Sequence, residues 1–237
     1  MTYCVGIRTN QATIMISDSR TSAGVDNISS YSKMWRYGVP GKRQFVLCSA
    51  GNLATTQAVI AGIERDISNR AESSLLTVVD MHQAAEYIGR VSVEVQEKAG
   101  GGAVFESTFL LAGEILGSQS ALYMIYAQGN FIVSSSQVPF LQIGETKYGK
   151  PMLDRVIQES TSTDRAVVCG LISMDATLKS NLTVGPPIEL YILQHGSLTL
   201  GRYRSFGEDD DYMRELRKEW NMAMEKAVDA MPFLSLT

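Results

Sequence analysis

Blocks of strand-like sequence alternate with pairs of amphipathic helices along the 237 residues, and that order restricts the fold more than any other feature. It runs strands, two helices, strands, two helices, strands, tail helix. A helix pair between two strand groups can cover one face of a sheet and return the chain to it. The expected result is a layered α+β protein with two sheets inside and helices outside. No linker or repeat interrupts the pattern, so residues 1–237 are expected to form a single domain.

Residues 3–9 and 12–17 are β-type runs flanking the turn-like trio Thr9-Asn10-Gln11, and they predict a hairpin. A hairpin returns the chain to its start, which makes Asp18 a spatial neighbour of Thr2. Residues 19–30, rich in Ser, Gly, Asn and Asp, predict a loop. Residues 31–37 and 44–49 predict strands around Pro40-Gly41. Helical spacing then begins after Cys48-Ser49-Ala50-Gly51-Asn52, with Leu53, Val59, Ile60, Ile63 and Ile67 on one face. A second helix is expected over 77–98, ended by Gly100-Gly101-Gly102. Strands are expected over 105–112, 121–127 and 130–136, with a tight turn at Gly129-Asn130. Residues 146–158 carry helical spacing, and Thr163-Asp164 caps a further helix that continues to Thr177. Strands over 188–192 and 197–203 place His195 at a hairpin tip. Asp209-Asp210-Asp211 opens a last helix, about 209–230, with acids suited to its N-terminal dipole.

A net charge of −4 and a pI near 5.3 argue against nucleic acid as a partner. No apolar run is long enough to cross a bilayer. Cys4, Cys48 and Cys169 are few, odd in number and widely spaced, as in reduced core thiols of a cytoplasmic protein. With only His82 and His195 present, a histidine metal site or a Ser-His-Asp triad has little support. No cofactor or metal is expected.

The chemistry points instead to the start of the chain. Tyr3–Ile7 begins directly after Thr2, so no signal peptide or flexible leader is expected. A small second residue is what methionine-trimming enzymes accept. A threonine with a free amine carries a nucleophile and a base on one residue. An α-amine titrates near pH 8, well below a lysine side chain, and can take the hydroxyl proton directly or through water. Lys33 would lower the proton affinity of both groups by its charge, and Asp18 would orient Lys33 and keep it protonated. Gly51, at a strand-to-helix junction, is a candidate oxyanion donor. With Met1 attached, the nitrogen of Thr2 is an amide of no basicity.

The N-terminal Thr, Ser17-Asp18-Ser19-Arg20, Lys33 and Ala50-Gly51 together resemble a proteasome β-type subunit, an N-terminal-nucleophile hydrolase. The longer strings Met-Thr-Tyr-Cys-Val-Gly, Gly-Glu-Thr-Lys-Tyr-Gly-Lys-Pro and Ser-Asn-Leu-Thr-Val-Gly-Pro-Pro-Ile are similar to Anbu, the bacterial ancestral β-subunit group. The resemblance covers most of the chain. It implies a four-layer αββα sandwich with the cleft at one end of the sheets. It also implies roles: Thr2 as nucleophile, Lys33 and Asp18 as its polarising pair, and Gly51 as oxyanion donor. Asp175 matches an acid that supports the terminal amine, with Thr177 or Ser180 as hydroxyl partner. By position, Thr21, Tyr31, Trp35, Ser49, Leu53 and Gln57 line the substrate cleft, although Tyr31 and Trp35 read equally as core aromatics on a strand.

Two departures qualify the match. The Asp18–Lys33 spacing is one residue shorter than usual, and Gly144-Glu145 stands where β-subunits carry Gly-Ser-Gly. Glu145 is a candidate to hold the amine by charge, with Ser134, Ser135 and Ser136 as alternatives. The expected activity is amide hydrolysis on a peptide or protein through an acyl-enzyme, or on a small amide by the same chemistry. The rival is a non-catalytic assembly subunit. Self-association into a ring or an open helical stack is expected, with the tail-helix stripe Met213, Leu216, Trp220 and Ala227 as one contributor. The sequence has no nucleotide site of its own, so any ATP dependence must come from a separate unfoldase.

Overall fold

The computed structural model describes residues 1–22 and 28–234. Residues 23–27, part of the loop expected after Asp18, lie outside the described residues. In chain order the elements are β1 (Tyr3–Arg8), β2 (Ala12–Ser17), β3 (Arg20–Ser22), β4 (Ile28–Ser30), β5 (Met34–Val39) and β6 (Arg43–Gly51). Helices α1 (Leu53–Ser68) and α2 (Met81–Lys98) follow, then β7 (Ser107–Ile115), β8 (Ala121–Ile125), β9 (Phe131–Val133) and β10 (Phe140–Gly144). The chain continues through α3 (Lys150–Val156), α4 (Thr163–Ser180), β11 (Ile188–Gln194), β12 (Arg202–Phe206) and α5 (Asp211–Asp229).

Two five-stranded sheets form, in the orders β10-β1-β2-β11-β12 and β5-β6-β7-β8-β9, with every ladder antiparallel. Their facing surfaces bury Cys4, Met15, Val46, Cys48, Leu110 and Leu122. The outer face of the first sheet packs Val5, Ile7, Ile14 and Ile16 against Leu153, Leu171 and Met174 of α3 and α4. The outer face of the second packs Phe45, Leu47 and Phe109 against Val59, Ile63, Ala84 and Ile88 of α1 and α2. These are the four layers αββα. Because β2 lies between two apolar layers, all six of its residues are buried and it shows no polar alternation. Gly6 leaves room between the sheets: a Cβ there would run into Leu122 of the facing sheet and Met15 of its own.

The turn joining β1 to β2 is built by Thr9, whose hydroxyl accepts from the amides of Gln11 and Ala12 and donates to the carbonyl of Ala12. This is the expected hairpin, held by a side chain that offers the backbone an alternative to helix or ladder. Other boundaries move for local reasons. The second helix starts at Met81, not at 77, because Asp80 caps it through Gln83 while the Thr77 hydroxyl closes a separate turn on Ser74. Of the helix expected over 146–158, only 150–156 is helical, with Pro151 setting its first turn. Ser162, not Thr163, precedes α4. The strand expected over 197–203 is displaced to 202–206, and parts of the loop after Asp18 pair as β3 and β4. Met213 buries and Leu216 packs on the core at the start of α5, whereas Met222, Met224 and Val228 further along are exposed.

Candidate active site

Hydrogen bonds fix residue 2 and its neighbour Tyr3 on both sides. The Thr2 carbonyl accepts from the Glu145 amide at 2.7 Å. One residue on, the Tyr3 amide donates to Asp18 Oδ1 at 3.1 Å while the Tyr3 carbonyl accepts from the Asp18 amide at 3.2 Å. The β1–β10 ladder pairs Tyr3 with Gly144. Gly144 has φ +82°, and a Cβ on it would strike the Thr2 carbonyl. Only glycine fits that close backbone approach without strain.

Asp18 directly follows β2 of the first sheet, and Lys33 lies immediately before β5, its carbonyl bonded to the Ser49 amide of the second. Lys33 Nζ reaches Asp18 Oδ1 at 2.8 Å and the Arg20 carbonyl at 2.6 Å. Asp18 is fully buried and also accepts from the Gly185 amide at 3.1 Å through Oδ2. Burial pushes the Asp18 carboxyl above its ordinary range, against the pull of the Lys33 charge and of the two amides. A buried ion pair of this kind carries a desolvation cost that often exceeds its attraction, so it is weak evidence for stability. Its placement needs another reason.

Thr2, Thr21, Lys33, Ser49, Gly51 and Leu53 line one cavity of about 570 Å³, with Arg20, Thr56 and Gly144 completing its walls. Met1 also lines it. Gly51 ends β6 at φ +123°, just before Asn52 caps α1 through the Thr55 amide. On β6 the Ser49 amide donates towards Lys33 and the Asn52 amide towards Glu106. Strand alternation therefore turns the Gly51 amide to the Ser49 side, past the end of the β5 ladder. Tyr31, Trp35 and Gln57 line a second, smaller cavity of about 250 Å³, with Leu53 as the wall common to both. The residues expected to line one cleft are thus divided between two adjoining cavities.

The supporting residues are placed differently from expectation. The Glu145 carboxylate faces Asn181 Nδ2 at 3.2 Å and Lys147 Nζ at 3.6 Å, so it is the Glu145 amide that reaches residue 2. Asp175 Oδ1 accepts from Arg217 Nε at 2.6 Å. The Thr177 hydroxyl donates to the Ser173 carbonyl one turn back in α4, and Ser180 is exposed at the helix end. Ser134 lines a separate cavity with Arg8, His82 and Ser120. Ser135 closes a local turn on Val138. Sequence reasoning missed Arg217, Gly185 and Glu189, whose partners are remote in sequence. It also missed Tyr3, whose hydroxyl meets Ser173 Oγ at 2.6 Å and accepts from Gln142.

Two face-to-face antiparallel sheets between helix layers make a proteasome-β-like fold. Solved structures narrow the class. Anbu (ancestral beta-subunit) from Yersinia bercovieri is 40% identical, with a TM-score of 0.95 over 99% of this chain and 100% of that one. An Anbu (Gly-1) mutant from Hyphomicrobium sp. strain MC1 is 39% identical, with a TM-score of 0.95 and all of both chains covered. A structure described as the helical assembly of the Anbu complex from Pseudomonas aeruginosa is 37% identical, with a TM-score of 0.94 over 99% of this chain and 98% of that one. No protein-family model and no curated protein sequence matches the chain. The chain belongs to the Anbu family of proteasome-β-like proteins.

Proposed function

We propose that this chain is an N-terminal-threonine hydrolase of amide bonds in peptides. The observation that carries the reading is the cavity in which Thr2 and Gly51 meet a buried lysine held by Asp18. Once Met1 is removed, the α-amine of Thr2 takes the proton of its own hydroxyl, directly or through one water. Oγ then attacks the scissile carbonyl carbon. The charge of Lys33 favours the alkoxide, and the Gly51 amide donates to the oxyanion of the tetrahedral intermediate. Collapse of that intermediate breaks the C–N bond, and the α-ammonium returns its proton to the departing amine. An ester on Thr2 remains. Water, deprotonated by the same amine, attacks the ester and releases the acid. Every proton taken is returned, so neither metal nor cofactor is required.

One observation favours the second reading, an assembly subunit without turnover. Asp175, which would support the terminal amine, is engaged by Arg217. Self-association belongs to both readings, given that a relative 37% identical is described as a helical assembly. An aqueous compartment suits both as well, since among the described residues no helix is long and apolar enough to cross a membrane.

The test begins with intact mass, to establish that the chain starts at Thr2. That material is then treated with a β-lactone or epoxyketone directed at N-terminal threonine. The expected result is a single adduct on residue 2, abolished in Thr2→Ala while the assembly size is unchanged. Chains that begin at Thr2 and stay unlabelled would establish the assembly reading.

A further inference from the structure

The Asp18–Lys33 pair bridges the two sheets, and contacts around it must fix its length. Glu189 is placed to do so. It lies on β11, in register with Ser17 of β2, and is buried. Its Oε2 accepts from Ser19 Oγ at 3.2 Å and from Ser32 Oγ at 2.8 Å, and its Oε1 accepts from the Tyr203 hydroxyl at 2.8 Å. Ser19 directly follows Asp18, and Ser32 directly precedes Lys33. One carboxylate oxygen therefore ties together the residues adjoining both members of the ion pair. The Tyr31 amide, donating to the Ser19 carbonyl at 2.9 Å, makes a second tie between the same segments.

Among the described residues no cation lies within ion-pairing distance of Glu189. A buried carboxylate satisfied only by hydroxyls is a costly way to fill space, and an apolar residue of similar size would fill it more favourably. What the carboxylate supplies is acceptor capacity for several donors at fixed angles. We propose that Glu189 is a positioning residue for the threonine-hydrolase site: through Ser19 and Ser32 it fixes the distance and orientation of Lys33 relative to Asp18. The inference rests on the hydrolase reading for its kinetic consequence but not for its structural one. Tyr203 extends the tie to the surface, where Arg36 lies 4.2 Å over its ring.

The experiment uses full-length chains with Met1 removed and compares wild type with Glu189→Ala, Glu189→Gln and Ser32→Ala. Two quantities are read: the rate of β-lactone acylation of Thr2 across pH, and the Lys33–Asp18 separation in crystals of each variant. Glutamine can rebuild the clasp, its carbonyl accepting from both serines and its amide donating to the Tyr203 oxygen. Glu189→Ala is therefore expected to acylate about 10²-fold more slowly, the scale of loss that follows an ångström of misplacement. Its rate–pH profile should shift as Lys33 leaves Asp18. Glu189→Gln should return to within about tenfold of wild type, a rescue that general destabilisation would not produce. Should Glu189→Ala not fold, Ser32→Ala, which removes one leg of the clasp, decides by the same readings. Wild-type rates and an unchanged Lys33–Asp18 distance in the variants would overturn the proposal. A wild-type chain that resists acylation would overturn the hydrolase reading alone, and the crystallographic distance would still decide the role of Glu189.

Discussion

Arg217 Nε donates to Asp175 Oδ1 at 2.6 Å, tying the first turns of α5 to the middle of α4. The carboxylate is buried, whereas the guanidinium is about half exposed at 47%. Screening weakens the arginine side of the pair, but the stranded carboxylate would bear the loss. Arg217→Ala is expected to lower unfolding stability by about 1–3 kcal/mol, the range for a hydrogen bond to a charged group. Urea unfolding at neutral pH measures it, and Arg217→Lys should recover only part because the planar donor is lost.

Lys33 is buried with Asp18, so its removal acts on stability and on reactivity together. Lys33→Ala leaves a carboxylate with two amide donors and no cation, at a cost of about 3–5 kcal/mol near neutral pH. Acylation of Thr2 by a β-lactone should fall about 10²-fold or more, as when one oriented electrostatic group is deleted. Melting curves and labelling rates, taken on the same preparations, separate the two effects.

The Asp18 carboxyl holds its proton more tightly in the folded chain than in the unfolded one, because burial raises it. The folded state therefore binds more protons between the ordinary value of 3.8 and the raised one. Over that window the contribution of Asp18 to stability is greatest at the acid end and is lost as pH rises through the folded value. The stability difference between wild type and Asp18→Asn, from urea titrations at stepped pH, should decline across the window and then flatten. The acid limb of Thr2 acylation should have its midpoint above the ordinary carboxylate range.

His195 gives the opposite slope. Its Nε2 lies 2.9 Å from the Thr13 hydroxyl, and burial lowers its proton affinity below the usual 6.5. The unfolded state then binds the extra proton first, so stability falls as pH drops through 6.5 towards the folded value. His195→Gln is expected to remove that slope in urea unfolding compared at pH on either side of it.

Gly144→Ala tests the close approach to residue 2. The φ of +82° alone costs about 1 kcal/mol for a residue with a Cβ. The added atom must also displace the Thr2 carbonyl. Slower β-lactone acylation is expected together with a lowered melting temperature.

How much of this was legible in the sequence depended on separation along the chain. The hairpin, and with it the approach of Asp18 to residue 2, follows from two short strands and a turn whose physics is local. The caps Asn52 and Asp80 are local too, yet neither is read from the pattern, and Asp80 moves the second helix start from 77 to 81. Lys33, Gly51 and Thr2 were read from pattern, and the cavity brings them together. By contrast, Asp175 with Arg217 spans 42 residues, Glu189 with Ser32 spans 157, and Gly185 with Asp18 spans 167. No periodicity carries such a pairing. Glu145 meets the same limit: the resemblance sets it beside residue 2, but only the backbone path of β10 determines that its amide bonds the Thr2 carbonyl while its carboxylate meets Asn181 and Lys147.

The ammonium and carboxylate of the central ion pair enter from opposite halves of the sandwich. The first sheet also sets β11 and β12, from the end of the chain, beside β2 from its start, so a partly made subunit lacks both the finished sheet and the Gly185 amide that donates to the carboxylate of the pair. On the hydrolase reading, a complete site would follow only the synthesis of those last strands.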